Sequence, residues 1–236
     1  MIIRDLSGME EFFKAEQLQR DVWGADDTED PADLMMVIQH EGGLVAGAFE
    51  GESLLGYVFG FPTREPHVQH SHRLAVHPDQ RGKGLALSLK RYQRDWCLAR
   101  GISLVRWTFD PLRHTNAHLN IGRLGAEVST YHPDYYGVMK GINAGLPSDR
   151  LRADWHLASE RATLCAAWEP GQPMTPAPAS ALQVPIPPDL DSLLAQDEQA
   201  ALAARMRVRA ELTRLFEQGQ RIRGYDAAAA CYLLWG

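Results

Sequence analysis

Two histidines, His70 and His72, sit two residues apart in an apolar, β-forming run. On a strand that spacing puts both rings on one face, and an imidazole titrates close to neutral pH, so the pair suits proton abstraction. The other reading of such a pair is plain hydrogen bonding at a sheet end. Just beyond stand Arg81, Gly82, Lys83 and Gly84, followed at once by a helical pattern from Leu85 and Ala86. Glycines let the backbone approach a ligand closely, and the unpaired N–H groups of a helix's first turn, with the positive end of the dipole behind them, favour an anion. Arg81 and Lys83 add full charges, so the turn is built to hold phosphate. It is not a Walker A loop, because Gly84 and Leu85 follow Lys83 where that motif needs Ser or Thr.

Further candidates are more scattered. Asp110 closes a dense β-forming run, at the strand end from which sheet-based sites draw residues, and could serve as a base or an amine partner. Tyr131, Tyr135 and Tyr136 could donate a proton, or simply anchor the loop they flank. Arg113, Arg150 and Arg152 could clamp a carboxylate. The histidine pair has no obvious third ligand, which leaves no metal role.

The elements that must position these groups follow from periodicity. Ile2 to Leu6 is a short strand; Met9, Phe12, Phe13, Leu18, Val22 and Trp23 are spaced as a helix, with Ser7 as expected N-cap and Gly24 as terminator. The acidic Asp26, Asp27, Glu29, Asp30 and Pro31 read as a loop, most simply a solvated one. Residues 44–49 and 54–61 form a hairpin around a Glu-Gly-Glu-Ser loop, and residues 70–77 form the next strand. In the following helix Leu85, Leu89, Tyr92, Trp96 and Ala99 make an apolar stripe, which predicts Lys90, Arg91, Arg94 and Asp95 toward solvent. Residues 102–109 read as a buried strand, and strand, crossover helix, strand implies a parallel pair. A shorter helix around Asn116 ends at Gly125, and strands are expected over 126–131 and 151–157. The Pro- and Ala-rich stretch 170–188 reads as a linker or an extended surface segment. Beyond it Asp189 caps a helical region with Leu190, Leu194, Ala201, Val208, Leu212 and Leu215 on one face, and short strands are expected at 222–225 and 231–235.

The chain has 236 residues, 45% of them hydrophobic and 23% charged, with a formal charge of −6. That is enough to bury a proper core, and the acidic balance gives no reason to expect nucleic acid or an anionic membrane as partner. Three separated cysteines, Cys97, Cys165 and Cys231, argue against a disulfide framework and for a reducing compartment. With no apolar run of bilayer length and no signal-peptide pattern at Met1, the expected location is cytoplasmic.

The stretch from Arg81 to Ala86 fits the Gln/Arg-x-x-Gly-x-Gly/Ala signature of the GNAT (GCN5-related N-acetyltransferase) superfamily, and the Leu-x-Val-x-Pro ending at Pro78 resembles its usual lead-in. The resemblance covers roughly residues 1–160. It implies an α+β fold, a mixed and mostly antiparallel sheet with a central parallel strand pair flanked by helices, here with an added C-terminal helix and short strands. It implies domains at 1–160 (acyltransferase), 161–188 (linker) and 189–236 (an extension that packs on the core or on a second subunit in a homodimer). It also implies acetyl-CoA or another acyl-CoA as co-substrate. The pantetheine arm would lie along Leu74, Ala75 and Val76, the pyrophosphate in the turn of Arg81, Gly82, Lys83, Gly84, Leu85 and Ala86, with Asn116 adding a side-chain contact. The His-x-His-x-Leu-Ala-Val-His pattern is similar to that of arylalkylamine N-acetyltransferases, in which the first two histidines serve deprotonation; that carries over to His70 and His72 only. Many members place a thiolate-protonating Tyr four residues before the glycine that is Gly125 here, and this chain has Ile121 there. The run Thr108-Phe-Asp-Pro-Leu112, the motif ending at Arg150 and the C-terminal extension look like a bacterial GNAT subgroup, some of whose members are tied to N-acylamino acid metabolism. The function so implied is transfer of an acetyl group, or another short acyl such as succinyl, from CoA to the amine of a small molecule or amino acid by direct attack. The alternative is a CoA-binding module without turnover.

Overall fold

The computed structural model describes residues 1–24, 28–137, 145–168 and 177–236. The expected acidic residues Asp26 and Asp27, and the centre of the expected linker, lie outside them. The chain divides into two compact units, at 1–106 and 107–236.

The first unit is β1 (Ile2–Asp5), α1 (Met9–Trp23), α2 (Ala32–His40), β2 (Leu44–Glu50), β3 (Ser53–Pro62), β4 (Val68–Val76), α3 (Leu85–Leu98) and the start of β5 (Leu104–Phe109). Its strands lie in the order β1-β2-β3-β4-β5. The first three pairings are antiparallel and β4–β5 is parallel, as a crossover through α3 requires. One face of β2 and β3 carries Val45, Phe49, Tyr57 and Phe59, which pack with Phe12 and Leu18 of α1 and Met35 of α2. The other face meets α3 so closely that a Cβ on Gly56 would stand 3.2 Å from Leu89.

The helix α2 is an element that the periodicity does not single out. Two local expectations differ from the structure. The cap of α1 is Gly8 with φ 72°, not Ser7, whose N–H instead donates to the Glu11 carboxylate at 2.9 Å. Arg4 pairs with Glu11 at 2.6 Å and holds that carboxylate over the helix start. Finally, Lys90 does not face solvent: it is 2% exposed. Gln69 and Ser71 alternate toward α3 and make a polar layer there. Lys90 Nζ donates to Ser71 Oγ at 3.0 Å and Gln93 Oε1 at 2.8 Å, and Gln93 donates to Gln69 at 2.7 Å. Burial pushes the Lys90 ammonium down to about 7.

The second unit contains the end of β5, α4 (His114–Ala117) continuing into a π-helical turn (His118–Arg123), β6 (Glu127–His132), β7 (Arg150–His156), α5 (Glu160–Ala167), β8 (Leu182–Pro185), α6 (Leu190–Gln196), α7 (Glu198–Glu217), β9 (Arg221–Asp226) and β10 (Cys231–Trp235). The order β7-β6-β9-β10-β8 is antiparallel where its pairs are resolved: β6 with β7 and β9, and β10 with β9 and β8. Within the span expected as linker, α5 is helix and β8 is an edge strand on β10, with Pro185 at its end, where a missing N–H is tolerated. Asp189 caps α6 as expected, and Asp197 breaks the helical region by capping α7 in the same way.

The apolar stripe of α7, Ala201, Val208, Leu212 and Leu215, is buried, and Arg205 occupies the same stripe at 1% exposure. Its guanidinium grips both oxygens of Asp110 at 2.8 and 2.7 Å. Such a buried bidentate pair is costly to break from one side. Arg205→Ala is expected to lower stability by about 3–5 kcal/mol in urea unfolding, and Asp110→Asn added to Arg205→Met to recover most of that. For Lys90 the folded pKa lies below the unfolded one, so the unfolded chain carries the extra proton between about pH 7 and its ordinary 10.5. Stability therefore rises with pH through that window. Lys90→Met should flatten this rise in urea midpoints taken from pH 7 to 9; an unchanged slope would show that Lys90 does not titrate there.

Candidate active site

Beyond His70, β4 changes character. It pairs with β5 only over Val68, Gln69 and His70, while its pairing to β3 continues to Val76. From Ser71 to Val76 one edge of β4 therefore has no strand partner among the described residues, and alternate N–H and C=O groups stand ready for an extended ligand. The edge leads through a 3-10 turn (Pro78–Gln80) into Gly82 and Gly84, with φ of 76° and 80°. These are left-handed conformations that L side chains resist. A Cβ at either would meet nothing within 4 Å, so there is open space in front of both. Gly84 is the N-cap of α3 and has no side-chain cap; helix geometry leaves the N–H groups of Leu85, Ala86 and Leu87 without intrahelical acceptors. Arg81 and Lys83 are exposed beside them. An open strand edge feeding a bare helix start fits a long ligand with an amide-bearing arm and a pyrophosphate, which is the shape of CoA.

The histidines do share a face. His70 stacks on Phe61, its cross-strand neighbour, with centroids 4.8 Å apart, and His72 meets Phe59 edge-on at 5.5 Å. Burial, reinforced by the nearby His72 and Lys90, holds the His70 imidazolium down at about 4, so the ring is neutral at working pH. His72 is more exposed, and its Nε2 lies 3.1 Å from Asp30 Oδ1. The other oxygen of Asp30 pairs with Arg73 Nε at 2.8 Å, and Arg73 reaches on to Thr28 O at 2.6 Å and over the Trp23 ring. Burial alone would raise the Asp30 carboxyl; His72 and Arg73 outweigh it and keep the group below the usual range. Asp30 thus places an ionised carboxylate against the exposed His72 ring. The acidic run around Asp30 predicts a solvated loop, and the structure corrects that for this residue. Its acidity is visible in the sequence, but its contact with a residue 42 positions away is not.

The second unit holds the other named groups. Asp110 is engaged by Arg205, with Arg150 at 3.9 Å. The Tyr131 hydroxyl donates to Asp149 Oδ2 at 2.6 Å, and burial followed by this carboxylate pushes its pKa up. Asp149, fully buried, also accepts from Arg209 Nε at 2.9 Å and the Asp134 N–H. The exposed Tyr136 hydroxyl is 3.2 Å from Thr108 Oγ1, and its ring lies under the Arg150 guanidinium at 5.0 Å. Arg113 pairs with Asp191, and Arg152 with Asp154 at 3.2 Å. Asn116 is exposed on α4, and Ile121 is fully buried in the π-helical turn. Arg205 and Arg209, which tie this cluster together, are legible in the sequence only as a break in an apolar stripe. Among the described residues no group of three or more His, Cys, Asp or Glu could hold a metal ion, and no helix is long and apolar enough to cross a membrane.

The fold is of α+β class, with a half-paired strand that runs into a glycine turn at a helix start. Residues 9–121, a little under half of the chain, match the model of the acetyltransferase (GNAT) family. Solved structures agree in fold. The ribosomal-protein-S18-alanine N-acetyltransferase of Escherichia coli is 15% identical with a TM-score of 0.55, covering 67% of this chain and 94% of its own. The yncA protein of Salmonella typhimurium, solved with its cofactor acetyl-CoA, is 19% identical with a TM-score of 0.55, covering 68% and 95%. The aminoglycoside 6'-N-acetyltransferase of Enterococcus faecium is 14% identical with a TM-score of 0.54, covering 67% and 98%. No curated protein matches the chain.

Because Gly84 combines a left-handed backbone with open space, Gly84→Ala strains the turn by about 1–2 kcal/mol. Calorimetric titration with CoA should show roughly tenfold weaker binding than wild type, with the far-UV dichroism unchanged. Equal affinity would mean that phosphate does not sit on this turn.

Proposed function

We propose that the protein transfers an acetyl group, or another short acyl group such as succinyl, from CoA to the amine of a small molecule or amino acid, by direct attack and with no acyl-enzyme. The observation that carries this reading is His72, paired with Asp30 of the loop before α2, on the strand whose open edge runs into the phosphate turn. The thioester, when bound, supplies the activated acyl carbonyl. Leu74, Ala75 and Val76 hold its pantetheine arm through backbone groups, and residues 81–86 hold the pyrophosphate.

An amine of ordinary pKa near 10 is almost wholly protonated at neutral pH, and attack requires its lone pair. His72 removes that proton at Nδ1, and Asp30, ionised and steered by Arg73, stabilises the imidazolium that results. The neutral His70, stacked on Phe61, directs the amine or relays the proton without competing for charge. The cysteines support a route without an acyl-enzyme: Cys97 is fully buried, with its thiol pushed up to about 12, chiefly by burial.

The test follows free thiol with acetyl-CoA and succinyl-CoA against a panel of amines and amino acids. His72→Ala should lower kcat/KM by about 10²–10⁴-fold at pH 7, and Asp30→Asn by about tenfold, with the KM for the acyl-CoA unchanged in both. Tight CoA binding with no thiol release from any donor would sink the transferase reading and leave a CoA-binding module.

A further inference from the structure

The second unit contains a cavity of about 730 Å³, whose walls come from the π-helical turn, α5, β9 and β10. Its size suits a small organic ligand. Gly125, at φ 74°, lets α5 come close: a Cβ there would be 3.1 Å from both Arg161 Cγ and Cys165 Sγ. The Arg161 side chain is thereby brought to the cavity wall.

Three arginines and three carboxylates, Glu127, Asp226 and the exposed Glu160, line that wall, and their charges are unevenly settled. Arg223 pairs with Glu127 at 3.4 Å and donates to Gly236 O at 2.9 Å. Asp226 accepts from the N–H groups of Ala228 and Ala229. Arg123 lies on the Trp168 ring at 3.8 Å. Arg161 differs. Its Nη2 donates to Ile121 O at 2.9 Å, its buried Nε has no acceptor, and no carboxylate among the described residues comes within ion-pair distance. His118 Nδ1, buried on the same wall, is likewise without a partner. A guanidinium has five N–H donors and keeps its charge; leaving it in a poorly hydrated site without an anion is unfavourable. Much of the remaining wall is apolar or aromatic, with Leu164, Tyr225, Leu233 and Trp235. One unsatisfied cation in a mainly apolar cavity suits a monoanion with an apolar body better than a phosphate dianion, and a carboxylate matches the guanidinium fork bidentately.

We propose that this cavity is a second ligand site, distinct from the phosphate turn, which takes a small aromatic or aliphatic carboxylate with its anionic end on Arg161 and its body against the Leu164 and Trp235 side of the wall. The test is calorimetric titration of the full chain with phenylacetate and, as the uncharged control, phenylacetamide. Phenylacetate is expected to bind saturably and at least tenfold more tightly than the amide. Arg161→Gln should remove that preference, and Leu164→Trp, which fills the cavity from an exposed position, should weaken both ligands, while CoA binding by either variant stays at the wild-type level. Should Arg161→Gln fail to fold, the Leu164→Trp comparison decides. No saturable binding at millimolar phenylacetate, equal affinity for acid and amide, phenylacetate binding that survives Leu164→Trp, or competition with CoA that persists in Arg161→Gln would each overturn the proposal.

Discussion

Past His70, β3 is the one strand that pairs with β4 among the described residues, and much of the first unit follows from that half-paired strand. A strand has two edges and two faces. Here one edge is closed by β3, the other is open for an extended ligand, one face carries Gln69 and Ser71 toward α3, and the opposite face carries His70 and His72. Side chains alternate from Gln69 to His72, and the register against β3 then shifts between Phe59 and Gly60, opposite Arg73 and Ser71. The open edge then delivers the chain to Gly82 and Gly84, so that the groups meant for an amide-bearing arm and those meant for phosphates are consecutive along the backbone.

The same alternation places charge where it has to be compensated. Lys90 is tolerated beneath β4 because Ser71 and Gln93 supply acceptors, and burial lowers its proton affinity. Asp30 is tolerated beside the histidines because Arg73 and His72 share its two oxygens. In the second unit Arg205 and Arg209, one turn apart on α7, answer Asp110 and Asp149. The C-terminal extension is thus bound into its unit by buried ion pairs as well as by the apolar stripe of Ala201, Val208, Leu212 and Leu215. Buried pairs of this kind fix register more than they add stability.

Much of the architecture is legible in the chain. The hairpin of β2 and β3, the stripe of α3, the parallel pair and the strand β10 follow from periodicity and from glycine placement. The misses have physical causes. Lys90 lies at the margin of an apolar stripe, where helical periodicity is compatible with either side and the facing strand settles the matter. The strand β8 lies in a Pro- and Ala-rich span whose composition suggests an unpaired chain, yet an edge strand needs only one partner and β10 provides it. Gly8, not Ser7, caps α1 because Arg4 draws Glu11 across the helix start.

The local chemistry of the site is written in the amino-acid order alone: two histidines on one face, and a glycine turn with basic residues at a helix start. These depend on backbone periods and on the conformational freedom of glycine, which are local properties. Which charges those groups meet is fixed by the packing of distant segments. Asp30 stands behind His72, Arg205 on Asp110, Asp149 on Tyr131, and Arg161 at a cavity wall with no carboxylate of the described residues in ion-pair range. Each of these relations joins residues far apart in the chain, and electrostatic partnership depends on distance in space, which local sequence patterns do not encode.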